Sequence, residues 1–583
     1  MSIAARRRVG VVGLLGLLAG ALVLMLAPGN PGALRLAGVG LFWWYAVLAA
    51  PLAAVLLVAV VQRLAPSAES IPGGSAALAV AAWTSPVVLA LVGARIFSGA
   101  ADGPAIALVV LVAPLIALLD PVAGRGARSN LVAALAISAG VGSILWANLL
   151  LLVDVWGLVG LPRWVASIMA AALALLSAAL PRRGGAVGAT PRTRAPSGPG
   201  LTLLYHGGAL GFLVSVAVIA STLAVSPWGA WRDVASRPAL TFGARNTWVT
   251  EGRTLAAPTV LEFTEAHRVT ALSPATYRVV EPGRFREWQL RAGESLALRA
   301  GDRLVLDAGA RLRFEAGKRV PGAPASGVAW ADPPERGASS TAAAVLAVAV
   351  TLIGGALALA GPGRGLSGRG VYTGSGLVLA LVLGALHLGV YGAYEAPGLS
   401  IGAPALAAVF ELPTAVVPGA AGRALVVLSA TALLALFSAT ALALRDVLGR
   451  AMGAARRGDA GGTAPRHELA GPAMTTFLVA ASVASLWPAD ATRVLLAGLG
   501  LAASAAVAPR LAGHGAGSRL VGSLVGALAF VGLAALDRHL PAWAGVVGTY
   551  PVLAAAPLAW LAARAGGRLP RPRDADTIDR HGQ

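Results

Sequence analysis

Residues 291–320 read RAGESLALRAGDRLVLDAGARLRFEAGKRV and repeat a pattern of eight residues. Most units open with a charged residue and Ala-Gly and continue with apolar side chains at alternate positions, such as Leu296 and Leu298. Alternation with a period of two is typical of a strand that buries one face, and a recurring glycine suits a turn with positive φ. The stretch therefore predicts short strands joined by tight turns.

Residues 228–336 extend this pattern into a domain. Upstream of the repeat, the segments TVLEFTE, HRVTAL, TYRVV and RFREWQL have the composition of strands and are separated by polar residues, Pro and Gly. Short strands need partners to bury a face, so we expect a small all-β sandwich or barrel of about seven to nine strands. The domain also holds 12 of the 26 acidic residues of the chain, which predicts a charged surface.

The sequence on both sides of this domain is typical of an α-helical polytopic membrane protein. Hydrophobic residues make up 57% of the 583 residues and charged residues 12%, whereas soluble domains contain about 25% charged residues. About 14 apolar runs approach or exceed the length of a bilayer-spanning helix. They lie near 9–28, 39–62, 75–94, 104–119, 131–153, 164–180, 201–225, 340–360, 374–394, 422–444, 473–487, 492–509, 518–536 and 541–563.

These runs divide the chain into two membrane bundles and a tail. We expect about seven helices in residues 1–227, about seven more in residues 337–566, and a disordered cytoplasmic tail in residues 567–583. The segment 402–417 contains a carboxylate and two prolines, Pro404 and Pro413, with a third directly after it. It therefore predicts a re-entrant or interfacial segment rather than a span.

Arginine sets the predicted orientation in the lipid bilayer. The formal net charge is +20, and the arginines cluster at the borders of apolar runs, which indicates topology rather than nucleic-acid binding. With Arg6, Arg7 and Arg8 inside, alternation gives every inside loop at least one arginine. Both termini are then cytoplasmic, and residues 228–336 lie outside the bacterial cytoplasmic (inner) membrane.

Composition also limits the chemistry. The chain has no cysteine, which excludes disulfides, Cys-ligated metal centres and thiol catalysis. No carboxylate lies clearly at the centre of an apolar run, which argues against ion-coupled transport through a buried charged relay. The sequence therefore assigns no catalytic residue and no metal site.

Polar residues inside apolar runs are candidates for an intramembrane site. His206 lies in the seventh run and His387 in the ninth, where Tyr391 follows one turn later. Histidine in a membrane helix can ligate heme, shuttle protons or contact a polar substrate, and it can equally hydrogen-bond a neighbouring helix. Asn148 is a further residue that would line a central polar cavity.

Two other groups of candidates lie at the outer surface. Trp228, Trp231 and Arg232 lie where the seventh run meets the β domain, a place where tryptophans commonly anchor a protein at the membrane interface. Four groups at outer helix ends or in outer segments could converge on one outward pocket: Asp154, Glu411, Asp537 and His539. Basic side chains of the repeat could form a face for docking other membrane or periplasmic proteins: Arg299, Arg303, Arg311, Arg313, Lys318 and Arg319.

His206, followed by the rest of its span and a Trp-x-x-Trp-Arg stretch that ends in Arg237-Pro238, resembles the heme-handling membrane proteins of cytochrome c assembly. Those proteins span the membrane many times, carry essential histidines in helices and have tryptophan-rich outer loops. The tryptophan-rich motif of that family, which ends in Trp-Asp-Pro, is absent here. The resemblance implies heme as a candidate cofactor and assigns no residue roles.

Three functions are consistent with these patterns. The favoured one is a non-catalytic component of a larger membrane assembly, related to cytochrome or heme handling, with the β domain as its docking module. A transporter or flippase for an amphipathic or lipid-linked substrate is the alternative, and it predicts a central polar cavity. A membrane-embedded transferase is the third, and it predicts that the outer-surface carboxylates converge on one pocket.

Overall fold

The computed structural model describes residues 3–64, 80–99, 102–119, 130–179, 199–243, 253–254, 259–281, 284–307, 310–333, 337–360, 368–401, 406–417, 419–456, 470–512, 515–540 and 545–566. Within these residues the protein is mostly helical and has a small antiparallel sheet region. The predicted tail, the first five residues of the run 75–94 and many arginines of the predicted inside loops lie outside the described residues.

The helices before the sheets are α1 (Ile3–Leu26), α2 (Leu41–Leu64), α3 (Pro86–Phe97), α4 (Gly103–Leu119), α5 (Leu131–Gly157), α6 (Arg163–Ala179), α7 (Pro199–Leu223) and α8 (Pro227–Ser236). After the sheets come α9 (Gly327–Ala331), α10 (Ala338–Ala360), α11 (Gly368–Glu395), α12 (Ala408–Val416), α13 (Ala420–Arg456), α14 (Ala470–Ala484), α15 (Ala491–Leu511), α16 (Ala516–Leu536), α17 (Gly545–Thr549) and α18 (Val552–Gly566).

The described part of the chain contains nine helices that are long and apolar enough to cross a membrane: α1, α2, α5, α7, α10, α11, α13, α15 and α16. Five shorter apolar helices accompany them: α3, α4, α6, α14 and α18. Each apolar run that the sequence predicts overlaps one of these helices. The segment 402–417 contains only the short helix α12 in its described part, with Pro413 inside it.

Burial separates central helices from peripheral ones. In α4 every residue except Ala117 is buried, which is expected of a helix that is apolar on all sides and surrounded by others. In contrast, α1 and α16 expose large apolar side chains, including Val12 at 67% and Leu528 at 72%. Contiguous exposed apolar surface on helices of this length is the surface that a lipid bilayer would cover.

The β domain is a sandwich of two four-stranded antiparallel sheets. Its strands are β3 (Arg253–Thr254), β4 (Thr259–Glu262), β5 (His267–Ala271), β6 (Ala275–Glu281), β7 (Arg284–Leu290), β8 (Ser295–Leu298), β9 (Arg303–Leu306) and β10 (Arg311–Phe314). A separate pair of strands, β1 (Arg35–Leu36) and β2 (Val39–Gly40), forms a small hairpin directly before α2. The sandwich sheets have the orders β3-β10-β5-β8 and β4-β9-β6-β7.

Successive units of the eight-residue repeat lie in opposite sheets. Strands β8 and β10 belong to one sheet, and β9, which lies between them in sequence, belongs to the other. Each unit therefore crosses from one layer of the sandwich to the next instead of pairing with its neighbour as a hairpin. Burial alternates along β8 and β10 as the sequence predicts, with their leucines and Phe314 facing the core.

The turns before β8 and β9 explain the Gly-acidic pairs in the first two units of the repeat. Gly293 and Gly301 have φ values of 90° and 91°, which suit a residue without a Cβ. One residue after each glycine, a carboxylate accepts a hydrogen bond from a backbone N–H of the same turn. Glu294 Oε2 accepts from Arg291 N at 2.8 Å, and Asp302 Oδ2 accepts from Arg299 N at 2.6 Å.

The sandwich is joined to the helical bundle by shared packing. Its core contains Phe242, Tyr277, Leu304 and Phe314, together with Ile401, which follows α11 and is only 6% exposed. Beside this junction the Arg237 guanidinium lies over the ring of Tyr394, 5.2 Å from its centroid, and a salt bridge of Arg237 with Asp233 at 2.8 Å fixes its position. The β domain therefore rests on the end of α11.

Candidate functional site

A cavity of about 790 Å³ lies among the ends of α3, α5, α15 and α16 and the flanks of α10 and α18. Its size is within the range of sites for small molecules, about 300–1,000 Å³. Its walls come from both halves of the chain. Its lining includes Leu91, Arg95, Phe97, Leu151, Asp154, Val348, Thr351, Asp490, Arg493, Leu496, Phe530, Ala534, Asp537, Tyr550 and Val552.

Charged and apolar side chains occupy different levels of this cavity. The charged residues lie at the ends of helices: Arg95, Asp154, Asp490, Arg493 and Asp537. The apolar residues Leu91, Leu151, Leu496 and Phe530 lie about 5–10 Å further along the same four helices, towards their centres. The cavity thus has a polar rim and an apolar floor, which suits a ligand with a polar head and an apolar body.

The structure brings two of the predicted outer-surface candidates together. Asp154, near the end of α5, and Asp537, just after α16, line the same cavity. Glu411 and His539 do not belong to the lining. Glu411 lies half-buried on α12, and His539 is exposed two residues beyond Asp537. The predicted convergence therefore involves two of the four groups.

Most carboxylates at the rim already have partners. Asp154 Oδ1 is 3.4 Å from Arg163 Nη1, and Arg163 is anchored by its Nε, which donates to Ser485 O at 3.0 Å. Asp490 is the N-cap of α15: its Oδ1 accepts from Thr492 N at 2.9 Å and from Arg493 N at 3.2 Å. Such a cap satisfies helix N–H groups that otherwise lack partners.

Arg95 lies in the last turn of α3 and points towards a buried carboxylate. Its Nη1 is 3.8 Å from Oδ2 of Asp102, which is 5% exposed and directly precedes α4. The other carboxylate oxygen of Asp102 has no hydrogen-bond partner among the described residues. Burial raises the pKa of the Asp102 carboxyl, while the Arg95 guanidinium acts in the opposite direction. Arg95 therefore stabilises the charged form of a carboxylate that burial disfavours.

The β domain contacts this wall of the cavity through Trp330. Trp330 belongs to α9, on the chain that leaves the sandwich, and its Nε1 donates to Ile96 O at 2.9 Å. Gly99, with φ of 70°, lies so close that a Cβ there would overlap the Trp330 ring. Ile96 lies between Arg95 and Phe97, both of which line the cavity.

Trp228 and Trp231 belong to a row of five tryptophans at this junction. The ring centroids of Trp44 and Trp228 are 4.7 Å apart, those of Trp228 and Trp231 are 5.7 Å apart, and those of Trp231 and Trp43 are 5.3 Å apart. Trp43 continues to Trp330 at 5.5 Å. The row packs the first turn of α2 against α8 and α9. Trp231 is 4% exposed, whereas Trp228 at 39% remains accessible, as does the neighbouring Arg232.

The predicted intramembrane candidates lie outside the lining of this cavity. Asn148 is fully buried: its Oδ1 accepts from Val87 N at 3.0 Å and its Nδ2 donates to Ile144 O at 2.7 Å. Asn148 therefore supplies a hydrogen-bond acceptor for an N–H in the first turn of α3, which has no partner within the helix. Tyr391 Oη donates to Val225 O at 3.3 Å. His387 is half-buried on α11.

His206 lies on the exposed surface of α7. Its Nδ1 is 2.7 Å from Thr202 O of the same helix. None of Asn148, His206, His387 and Tyr391 lines the cavity at the helix ends. A histidine bonded to its own helix and an asparagine capping a neighbouring helix have structural explanations.

The predicted docking arginines do not share one face. Arg311 and Arg313 lie on β10, in the sheet opposite to that of Arg303 on β9. Their side chains are exposed, as is Arg299, whereas two further candidates, Lys318 and Arg319, are half-buried. The expectation of a single basic surface is wrong in this respect, because successive units of the repeat alternate between the sheets.

The sequence did not single out Arg95, Asp490 or Arg493 as site residues. Asp490 and Arg493 follow a Trp-Pro turn in the pattern Asp-Ala-Thr-Arg, and an acidic residue directly before an apolar run is a helix N-cap signal. Among the described residues, no three His, Asp or Glu side chains lie close enough together to hold a metal ion. A scan against known protein families finds no match, and a search of curated proteins finds no similar sequence.

Proposed function

We propose that this protein binds an amphipathic or lipid-linked substrate from the extracytoplasmic side of the bacterial inner membrane, as a transporter or flippase does. The observation that carries the proposal is the cavity of about 790 Å³, which both Asp154 and Asp537 line above an apolar floor. A site of this size can enclose a polar headgroup and the adjoining part of a lipid chain.

The topology that we propose has fourteen spans. The nine long apolar helices and the five shorter ones supply them, with residues 1–227 and 337–566 as the two bundles and both termini in the cytoplasm. The arginine distribution supports this orientation, because cytoplasmic loops are enriched in Arg and Lys. Residues 228–336 then form an extracytoplasmic domain, and the cavity opens on the same side, since Trp330 joins the two.

The charges at the rim support recognition of a polar head. The bilayer core offers no compensation for an ionised group, so charged residues in a membrane protein tend to face an aqueous cavity or a partner. The apolar floor, including Phe530 and Leu496, provides contacts for the remainder of the substrate. A membrane-embedded transferase would use the same cavity and would in addition catalyse a reaction of the bound substrate.

A second candidate is the docking of a partner protein in a larger assembly, including one that handles cytochromes or heme. The outer face of one sandwich sheet carries the apolar side chains of Val260, Val280 and Phe285, which are 60%, 37% and 62% exposed. An exposed apolar cluster on a soluble domain favours an interaction surface. A Soret band in the purified protein or in its complex would support the heme-handling version.

The absence of cysteine in the natural sequence makes a direct test of the first proposal practicable. Ala534→Cys places the only thiol in the cavity, and Ala316→Cys places it on an exposed turn of the sandwich. A membrane-impermeant maleimide should label both in right-side-out vesicles. Amphiphiles should protect the thiol at position 534 and leave the one at 316 unprotected. Equal labelling of both thiols in the presence of every amphiphile tested would contradict the proposal.

A further inference from the structure

The charged residues at the rim differ in how far their hydrogen-bonding capacity is used. Asp154 is paired with Arg163, and Asp490 caps α15 and lies 3.6 Å from Arg493 Nε. Arg95 has an ion pair of 3.8 Å with Asp102 but no hydrogen bond among the described residues, and Asp537 has no ion pair there. They have opposite charges and line the same cavity.

Arg95 offers hydrogen-bond donors that are not used. Among the described residues its guanidinium makes no hydrogen bond, and its nearest carboxylate oxygen, on Asp102, is 3.8 Å away. Arginine carries five N–H donors in a planar arrangement that matches the oxygens of a phosphate or carboxylate. Its backbone is held by the Trp330 contact to Ile96, and its side chain is attracted by the buried Asp102. The group is therefore positioned for an anion before a ligand binds.

Asp537 is the complementary group. It is exposed at the end of α16, and the part of the chain that the structure describes contains no ion pair to its carboxylate. The chain packs tightly beside it, because a Cβ at Gly548 would overlap Asp537 Oδ1. A carboxylate without an ion pair at the rim of a cavity can accept charge-assisted hydrogen bonds from a cationic group.

We infer that the ligand has a zwitterionic headgroup, with a phosphate-type anion bound by Arg95 and an ammonium group bound by Asp537. This inference rests on the proposed binding of an amphiphile in the cavity. The five charged residues of the lining, two arginines and three aspartates, have a net charge of −1. A purely anionic head would meet an excess of carboxylates, and a purely cationic head would leave the Arg95 donors unpaired.

The test measures protection of the single thiol in Ala534→Cys by defined amphiphiles, with the full-length protein in a non-ionic amphipol. The probes are dodecyl phosphate, dodecylammonium, dodecyl maltoside and lauroyl lysophosphatidylethanolamine. The lysolipid should protect at about tenfold lower concentration than either singly charged probe, since one additional charge-assisted hydrogen bond has about this effect. Ala316→Cys serves as the control for labelling chemistry.

Two variants assign the roles. Arg95→Gln should weaken protection by the lysolipid and by dodecyl phosphate about tenfold and leave dodecylammonium unchanged. Asp537→Asn should weaken protection by the lysolipid and by dodecylammonium and leave dodecyl phosphate unchanged. Arg95→Lys keeps the charge and should retain part of the phosphate recognition, which distinguishes lost binding from lost folding.

The outcomes separate the inference from the proposed function. If no amphiphile protects the thiol, both fail. If dodecyl maltoside or one singly charged probe protects as well as the lysolipid, or if the two variants change all probes equally, the cavity binds amphiphiles but the zwitterionic headgroup is wrong. The inference is supported if Arg95→Gln weakens protection only by the phosphate-containing probes and Asp537→Asn weakens it only by the ammonium-containing probes.

Discussion

The indole Nε1 of Trp330 donates a buried hydrogen bond of 2.9 Å to the backbone carbonyl of Ile96. Trp330 leaves the β sandwich, and Ile96 belongs to the last turn of α3, where helix carbonyls have no partner within the helix. The residues on either side of Ile96, Arg95 and Phe97, line the cavity. The β domain and the candidate site are therefore in direct structural contact.

Trp330→Phe should loosen the cavity wall. The substitution keeps an aromatic ring but removes the indole donor, so the Ile96 carbonyl keeps only the backbone N–H of Gly99, at 3.2 Å, as a partner. Losing one of the two hydrogen bonds costs about 0.5–1.5 kcal/mol. We expect a lower melting temperature and faster labelling of the thiol in Ala534→Cys. Trp228→Phe is the matched control, because Trp228 belongs to the same row of tryptophans but is 39% exposed and packs on Trp44 and Trp231 instead of Trp330. Unchanged labelling in Trp330→Phe would show that the contact does not shape the cavity.

Ile401→Ala should destabilise the sandwich rather than the bundle. Ile401 follows α11 but contributes its side chain to the sandwich core, where it is 6% exposed. Replacing a buried isoleucine by alanine lowers the free energy of unfolding by about 2–5 kcal/mol. Limited proteolysis should then cleave the strands at lower denaturant concentration. Val260→Ala removes an aliphatic side chain that is 60% exposed and should have little effect. Equal protease resistance in the two variants would mean that the domain does not depend on α11.

Asn148→Leu should destabilise the bundle, whereas His206→Phe should not. The leucine would leave the N–H of Val87 without its acceptor at the beginning of α3, where the loss costs about 1–3 kcal/mol. His206 is exposed on α7 and bonds only its own helix among the described residues. Thermal unfolding of the detergent-solubilised protein measures both effects. A functional role for His206 would be indicated if its variant folded normally but lost amphiphile protection.

The eight-residue repeat shows how far the sequence alone could lead. Alternation in units such as SLAL predicts which side chains are buried, because that property depends only on the local period of a strand. The partner of each strand is not a local property. Strand β9 pairs with β4 and β6, and neither neighbouring unit of the repeat is in its sheet. The division of the basic residues between two faces therefore became apparent only from the sheet order.

The candidate site could likewise be predicted only as far as local sequence patterns reach. Asp154 and Asp537 could be predicted because each is a carboxylate at the end of an apolar run, which the sequence shows directly. Their presence in one cavity depends on the packing of α5 against α15 and α16, which no local pattern encodes. Asn148 shows the complementary limit: a polar residue in an apolar helix is as suitable for capping a neighbouring helix, as Asn148 does through its bond with Val87 N, as for binding a substrate.

Acidification should loosen the sandwich through His267. The ring is buried against Phe263 in the core, and its Nδ1 has no hydrogen-bond partner among the described residues. The charged groups around it are Glu265, Glu315 and Lys318, and Glu265 Oε1 lies 3.7 Å from His267 Nε2. Burial lowers the pKa of His267 below its ordinary value of 6.5, and Glu265 opposes this shift only in part.

A base whose pKa is lowered in the folded state stabilises the fold above the unfolded pKa and loses that contribution as the pH falls through the folded value. We therefore expect a thiol introduced by Leu298→Cys on β8, opposite His267 in the sheet, to be labelled severalfold faster at a pH of about 5 than at about 7.5, after correction for the reactivity of Ala316→Cys. His267→Gln in the same background cannot become charged and should abolish the difference. If the corrected labelling rates of the proteins with and without His267→Gln rise equally as the pH falls, a group other than His267 controls the opening, because Leu298 pairs directly with His267 across the sheet.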